Sequence, residues 1–302
     1  MDAEALAPWQ QRDLAALLTL DEISPDVYRS RWGDPNLNGR SYGGQLLGQA
    51  MMAACRTAPE GRGASMMQLL FLQGAIPDQA IEFSVARVQD GKRFVSRHVT
   101  GTQAGGRRIL DAQVTFAVPL DAPSHQTAMR AATDPRGLPG LADMPKAWEE
   151  KLKLIGGYSL RAKPSIDFRV PDIERQVAPG NGDSTFRFWL KTRDPLPDEP
   201  HMHASAFAYL SDWWLNFSAM NAHTQGLTES RRIYTSSLNH CVWLHRAPRA
   251  DQWMYFDCES PAAADGRGLS IARVHDEAGV LIATATQECL TGYTDEAPRR
   301  AV

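Results

Sequence analysis

The sequence predicts an α+β chain made of two copies of one unit, each an antiparallel sheet wrapped around a long buried helix. Three observations carry this. Two segments of small and apolar residues, Gly43 to Cys55 and Ala204 to Met220, read as helices buried on most of their surface. Each is followed by four runs rich in strand-forming residues, and tight-turn signals separate the runs of the first copy. A helix and one face of a sheet then bury each other, and two such units can pair edge to edge as a pseudo-dimer.

Taken in order, Pro8 to Leu20 places Leu14, Leu17 and Leu18 at helical spacing, and the Pro, Gly and Asn residues between Ser24 and Gly43 predict turns with short strands. After the first buried helix come SMMQLLFLQ, AIEFSVARVQ, RFVSRHVTGTQ and RRILDAQVTFAV, divided by Gly-Ala, Asp-Gly and Gly-Gly. Between Pro119 and Pro200 the pattern weakens, leaving two strands near Ser165 to Arg169 and Thr185 to Lys191. From His203 the order returns as ASAFAYLSDWWLNFSAM, SSLNHCVWLHRA, QWMYFDCES, GLSIARVHD and GVLIATATQECL. The expected division is a first unit over residues 1–120, a linker over 121–164 and a second unit over 165–302.

Composition narrows the function classes. A net charge of −3 over 302 residues, with mixed signs throughout, gives no basic footprint for nucleic acid. The cysteines Cys55, Cys241, Cys258 and Cys289 show no C-x-x-C spacing and read as core thiols of a reducing compartment. Met1 to Trp9 lacks the apolar stretch of a signal peptide, and no run of about 18 apolar residues spans a membrane, so the expected location is the cytoplasm. His201 and His203 lack a third ligand cluster, and neither a metal nor a cofactor is expected.

Candidate chemistry lies in the second copy. Asp212 falls in an apolar helix stripe beside Ala208, Leu215 and Ala219, where burial disfavours a carboxylate unless partners compensate. On SSLNHCVWLHRA, alternation sets Ser237, Asn239, Cys241 and Trp243 on one face and Leu238, His240, Val242 and Leu244 on the other. Ser237 and His240 therefore face apart, which disfavours a Ser-His-Asp triad, and the G-x-S-x-G elbow is absent. Gln287 shares a face with Leu281, Ala283, Ala285 and Cys289, a neutral amide able to hold a water or a carbonyl oxygen. If the three converge, Asp212 acts as general base on a water positioned by Ser237 and Gln287, with backbone N–H groups near Gly43 and Gly44 polarising a carbonyl.

The stretches GGQLLGQA, YLSD, SLNHCVWLHR, GRG (Gly266 to Gly268) and GVLIATATQE resemble the acyl-CoA thioesterase II family, in its order and at similar spacing. The resemblance covers Leu14 to Thr291 and is strongest after His203. It implies a double hot-dog fold and hydrolysis of acyl-CoA thioesters to fatty acid and CoA, with Asp212, Ser237 and Gln287 as the water-activating trio. Arg267 and Gly268 are candidate substrate contacts, and Arg93 and Arg97 candidate partners of CoA phosphates. The strand SMMQLLFLQGA departs from the family's His-rich strand, and the first copy has no carboxylate between Gly43 and Cys55, so one site per chain is expected.

Two other readings share the fold. A non-catalytic acyl-CoA or acyl-carrier binding protein leaves Asp212 idle. A hot-dog hydratase or dehydratase is suggested by WGDPN (Trp32 to Asn36), although the order of Asn and Pro is reversed and no histidine follows. The acyl length accepted depends on how Met51, Met52, Trp213, Trp214 and Phe217 fill a tunnel. The expected partners are the acyl-CoA substrate and further copies of the chain, in a homodimer or tetramer, because sheet edges and faces drive association.

Overall fold

The apolar runs of both halves lie side by side in a single antiparallel sheet. The computed structural model describes residues 6, 9–156, 158–161, 163–177 and 182–294, so most of the Met1 to Trp9 stretch lies outside the described residues. The strands are β1 (Leu20–Ser24), β2 (Val27–Ser30), β3 (Gly63–Phe71), β4 (Glu82–Asp90), β5 (Phe94–Gln103), β6 (Arg107–Ala117), β7 (Ile166–Arg169), β8 (Thr185–Thr192), β9 (Arg232–Leu244), β10 (Met254–Ala264), β11 (Arg267–Asp276) and β12 (Leu281–Thr294). Their spatial order is β1-β2-β4-β5-β6-β3-β9-β12-β11-β10-β8-β7. Read from either edge, the order is the same with second-half strands replacing first-half ones. The repeat therefore includes two strands before each helix: those of the second copy, β7 and β8, lie where strands were expected near Ser165 to Arg169 and Thr185 to Lys191, and the first copy has their counterparts in β1 and β2.

The two units pair edge to edge as expected, and their sheets are continuous. β3 pairs with β9 from Met66↔Trp243 to Leu70↔Asn239, so each half supplies the neighbour that the other's inner edge strand needs. Tight reversals join the strands. Between β10 and β11, Asp265 and Gly266 both have positive φ (50° and 76°), the backbone of a type I′ hairpin turn.

The helices are α1 (Leu14–Leu18), α2 (Gly43–Cys55), α3 (Ala147–Leu152), α4 (Ile173–Val177), α5 (Pro200–Ser211) and α6 (Phe217–Asn221). The first is much shorter than Pro8 to Leu20. α2 is buried from Gly44 to Cys55 and packs on α5, with no room for larger side chains at the contact. A Cβ at Gly44 would lie 2.3 Å from the Tyr209 carbonyl oxygen, and one at Gly48 would lie 2.9 Å from that of Ser205. The two helices thus run antiparallel, backbone against backbone, beneath the centre of the sheet.

The second long helix is broken, contrary to the continuous Ala204 to Met220 segment expected. α5 stops at Ser211, and Trp214 adopts φ 57°, a left-handed conformation that bulky residues rarely hold. Rings enclose it: Tyr158 at 5.1 Å, Phe217 at 5.0 Å, Phe168 at 5.4 Å and Phe186 at 5.7 Å between centroids. Burial of that aromatic cluster overrides helix propensity at this point. Asp212 is consequently the residue that ends α5, and helical spacing no longer relates it to Leu215 or Ala219.

Candidate active site

Because the chain turns away after it, Asp212 meets the start of α2. The Gly44 N–H faces the carboxylate and helps hold its pKa down. A Cβ at Gly43 would sit 2.7 Å from Asp212 Oδ2. First-turn amides and the positive pole of a 13-residue helix therefore face this carboxylate, while α5 presents its opposite pole behind it. Among the other amides here, Tyr42 donates to the Asp34 carbonyl at 2.7 Å and Gln45 to the Tyr42 carbonyl at 3.0 Å. Gly43 and Gly44 are thus at the site, facing a carboxylate of the other half.

The remaining members of the trio arrive from β9 and β12. Gln287 Nε2 donates to Asp212 Oδ1 at 2.5 Å and to Ser237 Oγ at 2.7 Å, so one amide nitrogen bridges the carboxylate and the hydroxyl. Gln287 is fully buried, whereas Asp212 and Ser237 keep partial access to solvent.

Simple alternation fails on β9. His240 pairs with Gln287 and Asn239 with Glu288, but Cys289 pairs with Ser237, which leaves Leu238 as the extra residue of a β-bulge. The bulge turns Ser237 inward, onto the same side as His240, and overturns the expectation that the two face apart. No triad results. His240 Nε2 lies 2.9 Å from Ser211 Oγ, and Ser237 is instead bonded by Gln287.

The electrostatics separate the titratable groups. Burial lifts Asp212 to about 7, against lowering by the Gln287 amide, the Gly44 N–H and the Lys163 ammonium. Burial pushes His240 down to about 4, opposed by the Gln287 side chain. At neutral pH the carboxylate titrates while the imidazole stays uncharged.

A second polar cluster, unmarked by any pattern in the sequence, lies behind Asp212. Lys163 Nζ lies 2.6 Å from both carboxylate oxygens of fully buried Asp34, and the Tyr209 hydroxyl donates to Asp34 Oδ2 at 2.9 Å. The ammonium also lies 4.4 Å from the Tyr42 ring centroid. Asp34 belongs to the WGDPN stretch, which serves here to hold a lysine from the linker. The only signal was an acidic residue between Gly and Pro, and its partner stands 129 positions away.

Other expectations resolve individually. Arg97 is fully buried and bonded to Thr57, Asp90 and the carbonyls of Gln89 and Ser96, so it braces the first half and meets no phosphate. Arg267 is exposed and pairs with Glu288 at 3.3 Å. Gly268 pairs with Cys289, two residues along from the Ser270↔Gln287 pair, and a Cβ there would lie 3.0 Å from Ala219 Cβ. Met51, Met52, Trp214 and Phe217 are packed into the core, and Trp213 is partly buried. Among the described residues, no group of three or more His, Cys, Asp or Glu side chains is placed to hold a metal, and no helix is long and apolar enough to cross a membrane.

A family model described as the acyl-CoA thioesterase N-terminal domain matches residues 29–117, and one described as the C-terminal domain matches residues 127–291. Acyl-coenzyme A thioesterase 8 of Mus musculus is 27% identical over 283 residues, covering 91% of this chain and 87% of that protein. Among solved structures, acyl-CoA thioesterase II TesB2 from Mycobacterium marinum superposes with a TM-score of 0.73 at 32% identity, covering 92% of this chain and 97% of that one. A hot-dog-fold protein from Alicyclobacillus acidocaldarius superposes with a TM-score of 0.71 at 16% identity, covering 94% and 98%, a likeness of fold alone. The one sheet with two central helices is thus a double hot-dog.

Proposed function

The chain belongs to the acyl-CoA thioesterase family, and from that premise we propose that it hydrolyses acyl-CoA thioesters by direct attack of a water that Asp212 deprotonates. The observation that carries this reading is the Gln287 amide nitrogen shared between Asp212 Oδ1 and Ser237 Oγ, at 2.5 and 2.7 Å. A carboxylate held this way is aimed, and at about 7 it is basic enough to take a proton near neutral pH.

The steps follow from the donors and acceptors present. A water bonded to Asp212 and Ser237 attacks the thioester carbonyl carbon as Asp212 takes its proton. The carbonyl oxygen becomes an oxyanion beside the N-terminus of α2, where Gly43 N–H is the donor assigned to it and the helix pole favours the charge. Collapse breaks the carbon–sulfur bond, and the proton on Asp212 passes to the departing CoA thiolate. The products are a carboxylic acid and CoA, and Asp212 is again ionised.

Three observations favour water over Ser237 as nucleophile. Ser237 Oγ accepts from Gln287, and the nearby imidazole is engaged with Ser211. Burial also leaves that imidazole at about 4, too weak a base to ionise a serine. A panel of acyl-CoA thioesters with free-thiol detection tests the reading. Release of CoA by the wild type, lost in Asp212→Asn, is the expected result. Equal rates for the two proteins overturn it.

A further inference from the structure

Two side chains behind the trio have no part in the hydrolysis as written. His240 and Gln287 are direct cross-strand partners on β9 and β12, and both are fully buried. Gln287 spends its nitrogen on Asp212 and Ser237, which leaves Oε1 buried without a hydrogen-bond partner. His240 Nδ1 is likewise buried and unpartnered. An ionised carboxylate only accepts, so the amide must keep its nitrogen toward Asp212, yet a buried carbonyl oxygen with no donor favours the flipped amide.

Ser211 decides which imidazole nitrogen carries the proton. Its Oγ lies 2.9 Å from the Ala208 carbonyl oxygen and 2.9 Å from His240 Nε2, with one hydroxyl proton to give. If that proton goes to Ala208, the imidazole proton sits on Nε2, and Nδ1 sets a lone pair against the lone pairs of Gln287 Oε1. If it goes to Nε2, the imidazole proton sits on Nδ1, where Gln287 Oε1 needs a donor. Only the second arrangement gives Nδ1 a proton to donate and so offers the orphaned Oε1 a donor. As buried cross-strand partners on one face of the sheet, the two side chains are neighbours.

We infer that His240 accepts from Ser211 at Nε2 and donates from Nδ1 to Gln287 Oε1, which makes it the positioning residue that keeps the Gln287 amide turned toward Asp212 and Ser237. The inference rests on the hydrolytic reading, since only a working trio needs a fixed amide. It assigns Ser211, His240 and Gln287 to one chain of donors running from the end of α5 to the water site.

Two measurements test it. The first is the protonation pattern of isotope-labelled imidazole nitrogens by NMR in the wild type, with the His240 signals assigned by their loss in His240→Asn. A proton on Nδ1 is expected, and a proton on Nε2 overturns the inference whether or not the chain hydrolyses anything. The second compares folded His240→Asn, whose amide nitrogen can replace Nδ1, with His240→Gln, whose amide nitrogen can replace only Nε2. Asn should keep kcat within about three-fold, and Gln should lower it by about ten-fold or more with KM little changed. Equal kcat in the two variants overturns the inference. Loss of CoA release in Asp212→Asn reports separately on the hydrolytic reading.

Discussion

The Asp212 carboxylate, at the end of a helix in the second half, lies against Gly43, at the start of a helix in the first, where a Cβ would come within 2.7 Å of its Oδ2. Neither half alone contains the site. The first copy's helix carries no carboxylate between Gly43 and Cys55, but it supplies the helix pole and the glycines that let the backbone close on Asp212. The second copy supplies the side chains of the candidate site and the first the amides.

The raised carboxyl of Asp212 sets the pH dependence. Acting as base, it must be ionised, so kcat/KM should climb about ten-fold per pH unit below 7 and level off near pH 8. His240, at about 4, adds no second limb in that range. Asp212→Asn should lower kcat by about a hundred-fold or more. A flat profile from pH 5 to 8 is incompatible with Asp212 as base.

The same group should weaken the fold at neutral pH. Its carboxyl lies near 7 in the folded chain against 3.8 ordinarily, so folding retains a proton that the unfolded chain releases between those values. Stability then falls as pH rises through that window and is level above it. Asp212→Asn carries no such term. Its melting temperature should exceed the wild type's by about 2 °C or more at pH 8, with the gap closing near pH 4. A gap independent of pH contradicts the raised carboxyl.

Glycine substitutions on α2 should separate chemistry from folding. A methyl at Gly43 meets the Asp212 carboxylate, whose tip can swing away, so Gly43→Ala should fold and lose about a hundred-fold in kcat. Methyls at Gly44 and Gly48 meet backbone carbonyls 2.3 and 2.9 Å away, which cannot yield without separating α2 from α5. Those two variants should melt well below Gly43→Ala, as read by circular dichroism.

Part of this was legible in the sequence. The strand runs and the two helical segments were visible because burial on one face writes a period of two or a dense apolar block. Gln287 stood out because alternation held along β12 up to its position. Ser237 did not, since the bulge at Leu238 inverts the phase of β9 and nothing in SSLNH announces an extra residue. The helix break at Trp214 was equally hidden, because its cause is a ring cluster drawn from β7, β8, α6 and Tyr158. The Asp34–Lys163 pair joins segments with no shared pattern.

That pair should tune the base. Lys163 holds the Asp212 carboxyl down through its charge, and Asp34 holds Lys163 in place. Removing the lysine alone strands a buried carboxylate, at about 3–5 kcal/mol. The double variant Asp34→Asn/Lys163→Met removes both charges together, and its kcat/KM profile should shift to higher pH. An unmoved profile in the folded double variant shows that Lys163 does not act on Asp212.

Ser237 discriminates between water attack and an acyl-enzyme. Its hydroxyl lies 2.7 Å from Gln287 Nε2, and His240 Nε2 is committed to Ser211, so no base is placed to remove its proton. Ser237→Ala should therefore lower kcat by about ten- to a hundred-fold through loss of one bond to the water, and Ser237→Thr, which keeps the hydroxyl, should restore most of it. Intact-mass measurement during turnover should find no chain carrying an acyl group, and the first turnover should release CoA without a burst. An acylated Ser237 or a burst equal to the enzyme concentration would place the nucleophile on the serine and leave Asp212 and Gln287 to activate it.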